Sequence, residues 1–188
     1  MASIITATTT SGLTQSADNS GVLQLASGTG NLVTVPSVTG TAMVSGNMPA
    51  FSATNSGTQS ITASTFTKIL FQTEAFDTNN NFASSTFTPT VAGYYQITSS
   101  LNHDYSASSG SLIATAIYKN GSSYQITSNR LSSNQGPYGG VQAQALVYCN
   151  GSTDYVEIYA YSNNVGPSIA VSGTGGTTNF SGVLVRTA

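Results

Sequence analysis

The chain has no tryptophan, one cysteine, one histidine and only four basic residues among 188. Each scarcity excludes something. With Cys149 alone, no disulfide can close within the chain, so durability has to come from packing or assembly. Lys68, Lys119, Arg130 and Arg186 are scattered and the formal net charge is −2, which leaves no basic face for a phosphate backbone and excludes nucleic acid as a partner. No apolar run approaches the ~20 residues that span a bilayer, and the first residues, MASIITATTT, lack a basic n-region. The sequence therefore predicts neither a membrane partner nor Sec export. Charged residues make up 5% of the chain, against roughly 25% in an average domain, so hydroxyl and amide side chains must supply solubility.

The scarcity is uneven. Residues 1–48 hold one charged residue, Asp18, and none of the seventeen aromatic rings, all of which follow Met48. This break divides the chain into an extended N-terminal arm, 1–48, and a domain, 49–188. An arm of this composition cannot offset an ordering entropy of about 1 kcal/mol or more per residue by burying its own side chains. Its apolar residues, Val22, Leu23, Leu25, Leu32, Val33, Val35, Val38 and Val44, are β-formers spaced by Thr, Ser and Gly. They suit strand addition to neighbouring chains or to a host surface, and are the expected anchoring residues.

Beyond Met48 the apolar signal has period two. In Val141–Cys149 the odd positions are small and apolar while Gln142 and Gln144 face the other way, which predicts a strand with one buried face. In 154–161, Val156, Ile158 and Ala160 share one face and Tyr155, Glu157, Tyr159 and Tyr161 the other. Further β-rich runs are Thr65–Phe71, Tyr94–Leu101, Leu112–Tyr118 and Phe180–Val185, separated by turn chemistry such as Lys119-Asn120-Gly121 and Asn150-Gly151. No stretch carries a 3.6-residue apolar period over helical length. Many short strands with Gly- and Asn-rich turns predict an all-β fold, an antiparallel sandwich or jelly roll.

Several segments in order, PAFSA (49–53), TKILFQTEAFD (67–77), FTPTVAGYYQITSSL (87–101), IYKNGSSY (117–124), VQAQALVYCNGSTDYVEIYAY (141–161) and FSGVLV (180–185), resemble the jelly-roll head of the complement C1q family, akin to the tumour-necrosis-factor fold. Within them Gly93 is expected to turn the chain tightly into a strand, Tyr95 and Ile97 to be buried, and Gly182 to permit close backbone approach beneath Phe180. The resemblance implies three heads packed about a three-fold axis, a homotrimer. A collagen-like Gly-X-Y stalk is absent, and the aspartate of the usual Gly-Asp turn sits in Ser152-Thr153-Asp154. The arm resembles the leaders of virion proteins from tailed bacteriophages. That implies a structural, non-enzymatic capsid decoration, a cement protein or short head fibre. It would be made in the host cytoplasm, displayed on the virion surface, and held through its arm by the major capsid protein or another virion protein. The alternative is a tail-fibre or receptor-binding tip whose outer loops, 106–111 and 130–140, grip a host cell-surface glycan.

Candidate chemistry is sparse. His103-Asp104 is the one histidine–carboxylate neighbour pair, but adjacent strand residues point to opposite faces and no nucleophile motif accompanies them; His103 is expected at a loop edge after a strand ending near 102. Cys149 shares the apolar face of its strand, where a thiol is inert. Asp77, Asp104 and Asp154 are dispersed, which favours no calcium site, and Gly28-Thr29-Gly30 and 173–176 lack the lysine and helix of a phosphate cradle. No metal or other cofactor is expected. The remaining candidate is the tyrosine row. Tyr155, Tyr159 and Tyr161 present amphipathic rings suited to a subunit interface, the favoured reading, or to stacking on sugar rings.

Overall fold

The computed structural model describes residues 23–26, 32–35, 48–105, 111–130, 138–163, 169–172 and 176–188. The chain divides into two units, Met1–Ala42 and Met43–Ala188. In the first, β1 (Leu23–Ala26) and β2 (Leu32–Val35) pair antiparallel, with Leu23 opposite Val35 and Ala26 opposite Leu32. Val22, Val38 and Val44 of the expected anchoring set lie outside the described residues.

The second unit is the head. Its strands are β3 (Ala50–Thr54), β4 (Gln59–Ser60), β5 (Thr67–Lys68), β6 (Thr73–Asp77), β7 (Phe82–Ala83), β8 (Thr86–Phe87), β9 (Gly93–Tyr105), β10 (Leu112–Lys119), β11 (Ser122–Arg130), β12 (Tyr138–Cys149), β13 (Val156–Ser162), β14 (Ile169–Ser172) and β15 (Asn179–Thr187). They form two antiparallel sheets. One runs β11-β10-β13-β8-β7 with β5 also on β13; the other runs β4-β14-β9-β15-β3-β6 with β12 on the far side of β9. No α-helix occurs among the described residues. The fold is the expected all-β antiparallel jelly roll.

The period-two pattern explains the core. On β12, Val141, Ala143, Val147 and Cys149 are buried while Gln142 and Gln144 are exposed; on β13, Val156, Ile158 and Ala160 are fully buried. Tyr95 and Ile97 of β9 are also completely buried, as expected. Between the sheets, Phe51 stacks on Phe82 and Phe87 with ring centroids 4.8 and 4.4 Å apart and meets Phe180 edge-on at 4.8 Å. These rings come from four different strands, so burying them joins the two sheets.

Three local expectations are corrected. The run Thr65–Phe71 is not one strand, since β5 covers only Thr67–Lys68. Ile69 still donates its N–H to the Ile158 carbonyl at 2.9 Å, but from Leu70 on side chains replace the ladder: Leu70 donates its N–H to Gln59 Oε1 and accepts from Asn55 Nδ2, both at 2.8 Å, and Phe71 donates its N–H to Ser85 Oγ at 2.7 Å. Gly182 does permit a close approach, but beneath Phe51. A Cβ there would lie 2.7 Å from Phe51 Cε1 and 2.9 Å from Ile97 Cδ1. Gly93 opens β9 just after bends at Thr90 and Val91 but without a positive φ; a Cβ would sit 2.4 Å from the Arg186 carbonyl oxygen, so closeness to β15 demands the glycine.

Candidate functional site

His103 and Cys149, the candidates for acid–base and nucleophilic chemistry, are buried in the strands. His103 is not at a loop edge: β9 continues to Tyr105, with His103 opposite Gly139 of β12 and Val171 of β14. It is 1% exposed on the core face, and neither ring nitrogen has a hydrogen-bond partner. Burial pulls its pKa down to about 4, so the ring is neutral at physiological pH. The strand outruns its apolar signal because pairing with both β12 and β14 holds it beyond Asn102. Cys149 is fully buried, and burial pushes its thiol up to about 11, the opposite of an activated nucleophile.

Asp77 and Asp154 have structural partners. Asp77 accepts the N–H groups of Asn79 and Phe82 at 3.3 and 2.7 Å and so shapes the loop before β7. Asp154 accepts from Asn120 Nδ2 at 2.7 Å and pairs with Lys119 Nζ at 2.9 Å. The Asn120 hydrogen bond, then Lys119, hold its carboxyl below the usual range. This network ties the β10–β11 turn, where Asn120 and Gly121 have φ of 52° and 76°, to the segment entering β13. Asp104 carries no described side chain; among the described residues no three His, Cys, Asp or Glu side chains gather as metal ligands.

The tyrosine row lies on the outer face of the six-stranded sheet, where it gains partners from other strands. Tyr159 stacks on Tyr118 of β10 with centroids 4.0 Å apart and planes 25° apart, and Tyr161 packs on Phe66 at 5.0 Å. Tyr155 lies just before β13 and donates its backbone N–H to Asn120 Oδ1 at 2.9 Å. Beside the stack, Lys68 Nζ donates to Glu157 Oε1 at 2.6 Å and to Thr86 Oγ1 at 2.8 Å, while the Tyr159 hydroxyl donates to Glu157 Oε2 at 3.3 Å. Glu157 is nine-tenths buried beneath these neighbours. Burial raises the Tyr118 and Tyr159 hydroxyl pKa values, so both rings stay neutral. Tyr118 joins the row through the β10–β13 register, which sets it opposite Glu157 and Ala116 opposite Tyr159, and Phe66, just before β5, packs on Tyr118 and Tyr161.

The seven-stranded sheet presents a second surface that sequence reasoning missed. Tyr94, Leu146, Tyr148, Val183 and Val185 form an apolar stripe across β9, β12 and β15, with Leu146 50% and Val185 58% exposed. Register makes it continuous: Tyr148 lies opposite Tyr94, and Leu146 and Val183 flank Gln96 from either side. Tyr94 and Tyr148 are 5.4 Å apart and line an open concavity of about 620 Å³ with Leu146, Val185, Arg186, Thr187 and Ala188. The exposed Tyr124 ring of β11 extends the stripe, because its hydroxyl donates to the Leu146 carbonyl at 3.0 Å. The signal was present in the alternation itself. Leu146 and Tyr148 occupy the outward positions of β12 that Gln142 and Gln144 mark as solvent-facing.

No family model and no curated protein matches the chain. Solved structures do. The globular domain of zebrafish complement 1qA protein superposes with a TM-score of 0.55 at 19% identity, covering 74% of this chain and 98% of its own. The head has the C1q/TNF jelly-roll fold. Murine APRIL crystallised at pH 5.0 matches this C1q/TNF-like head with a TM-score of 0.54 at 10% identity, covering 73% of this chain and 99% of its own. Eiger TNF from S. frugiperda matches with a TM-score of 0.54 at 8% identity, covering 75% and 93%. Two faces of the C1q/TNF-like head thus stand out, an aromatic cluster interlocked with an ion pair and an apolar stripe open to solvent.

Proposed function

We propose that the chain is a structural virion protein of a tailed bacteriophage, a homotrimeric capsid decoration, either a cement protein or a short head fibre. Its arm, residues 1–48, attaches to the major capsid protein or another virion protein while the jelly-roll heads project outward. The observation that carries the reading is the contrast between the two units. A well-packed head with an open apolar stripe follows an arm that has one charge and no aromatic ring. C1q/TNF-like head domains are non-enzymatic and typically trimeric, which fits self-association and a role other than catalysis.

Self-association falls on the stripe. The faces of Tyr118, Tyr159, Tyr161 and Phe66 are partly covered by one another, whereas Leu146 and Val185 expose half or more of their surface. Interfaces of this kind bury aromatic and aliphatic side chains at their centre. Arm attachment uses strand addition, in which backbone hydrogen bonds supply affinity and three arms per trimer multiply it.

A second reading is favoured by the aromatic cluster on the six-stranded sheet. Rings beside a Lys68–Glu157 pair suit an amphipathic sugar, which fits a tail-fibre or receptor-binding tip. Of the loops named for that role, 106–111 and 130–140, residues 106–110 and 131–137 lie outside the described residues.

Cryo-EM of normal virions beside virions assembled without this protein tests the choice. Density over the capsid lattice, with residues 1–48 laid along capsid subunits, supports decoration. Density confined to the tail overturns it in favour of the receptor-binding reading.

A further inference from the structure

The arm carries an amphipathic β-hairpin. In the antiparallel register of β1 and β2, strand alternation places Leu23, Leu25, Val33 and Val35 at positions of one face. Gln24 and Thr34 share the opposite face with Ala26 and Leu32. Among the described residues this sheet consists of the two strands alone. A two-stranded hairpin is marginal in water; three or more strands with a shared hydrophobic face are needed for stability.

We propose that the Leu23/Leu25/Val33/Val35 face packs against the same face of the other copies, so that three hairpins form a common foot. The inference rests on the homotrimeric reading and specifies what its arms do. Three features favour copies of the same chain as the occupant. The face is uniformly apolar, and from residue 19 to residue 67 the chain has no charged residue that would oppose bringing copies together. Fourteen residues, 36–49, separate β2 from β3 and reach at most about 50 Å, so hairpins tethered to one cluster of heads can meet. Tethering also raises their mutual concentration to about the millimolar range, enough for a face too weak to associate from dilute solution. The foot leaves the outer edges of β1 and β2 unpaired, available for strand addition to the particle.

The test uses the full chain with Leu25→Cys, Val33→Cys as a second variant and Gln24→Cys on the opposite face as control. Cys149 is fully buried, so unmodified protein gives the background. Each is oxidised mildly and run on a denaturing non-reducing gel, after light scattering has fixed the number of chains per particle in solution. Three thiols around one axis close one disulfide, so the foot predicts about two thirds of Leu25→Cys or Val33→Cys chains as covalent dimers. The foot also requires that these dimers form at least about tenfold faster than in Gln24→Cys, because only one face brings thiols within bonding distance. A trimeric mass with no such difference overturns the foot and leaves the trimer standing. A monomeric mass overturns the trimer and the foot together.

Discussion

His103 ties stability to pH. An unfolded histidine titrates near 6.5, whereas the buried ring titrates at about 4, so between those values the unfolded chain binds more protons than the folded one. Its contribution is complete above pH 6.5 and falls as pH drops toward 4, by up to about 3 kcal/mol. Asp154 acts in the same direction at lower pH: its depressed pKa gives stability that is present above the ordinary carboxylate value and lost as pH falls through the folded one. Replacing His103 by Leu removes both unpartnered nitrogens and the titration. Thermal melts of the two proteins from pH 7 to 4 are expected to diverge, the wild type losing Tm steadily and His103→Leu holding nearly level down to pH 4.5. Parallel slopes would place the proton elsewhere. Gly182 gives the steric counterpart. A methyl group 2.7 Å from the Phe51 ring must push apart the central aromatic stack, so Gly182→Ala is expected to cost about 1–3 kcal/mol. Gly140→Ala, where nothing lies within 4 Å, is expected to be within about 0.5 kcal/mol of wild type in the same denaturation assay.

Among the elements, the β7–β8 hairpin is built against its own sequence. Ala83 pairs with Thr86, leaving Ser84 and Ser85 as a two-residue loop with φ of 50° and 60°. Both φ values are positive, as in a type I′ turn, which favours Asn or Gly. Ser85 is retained by its buried hydroxyl, which accepts the Phe71 N–H at 2.7 Å and donates to the Phe71 carbonyl at 3.4 Å. Ser84→Gly is therefore expected to stabilise the protein by up to about 1 kcal/mol, and Ser85→Ala to destabilise it by about 1–3 kcal/mol, both read from urea midpoints. The reverse order would show that the turn is unstrained and the hydroxyl idle. The contrast with Asn120-Gly121 shows what was legible beforehand. Asn-Gly announces a turn in the sequence; Ser-Ser does not. Alternation in β12 and β13 likewise identified the core face, because one buried side and period two leave a one-residue slip no alternative. Side-chain bonds standing in for a ladder at Leu70 and Phe71 have no such periodicity, so the β-rich run Thr65–Phe71 predicts a longer strand than the one that forms. His103 stood at the correct parity with Leu101 and Ile97, but its strand was ended too early. The Tyr118–Tyr159 stack needed the β10–β13 pairing, a relation between residues 41 apart that no local pattern encodes.

For the whole molecule, the low charge decides how copies would meet in the proposed trimer. With 5% charged residues the head lacks the complementary fields that steer charged partners, so association has to draw on buried apolar area. The stripe of Tyr94, Leu146, Tyr148, Val183 and Val185 offers it as a surface continuous across three strands. A charge placed at its centre is repeated in every copy and must be desolvated each time. Leu146→Asp is expected to weaken assembly by at least about 100-fold, shifting the light-scattering mass at micromolar concentration from three chains to one, while the fold, followed by circular dichroism, persists. Tyr159→Ala, on the other sheet, is expected to keep the mass of three chains. The opposite pattern, with Tyr159→Ala dissociating the protein and Leu146→Asp leaving it intact, would move the interface to the tyrosine row. Raising salt from 0.05 to 1 M is expected to leave the wild-type mass unchanged or to tighten assembly, since screening has few charge pairs to act on and apolar burial is favoured by excluded salts. Dissociation by salt alone would show that the few charges flanking the stripe, Lys119 and Arg186 among them, hold the copies together.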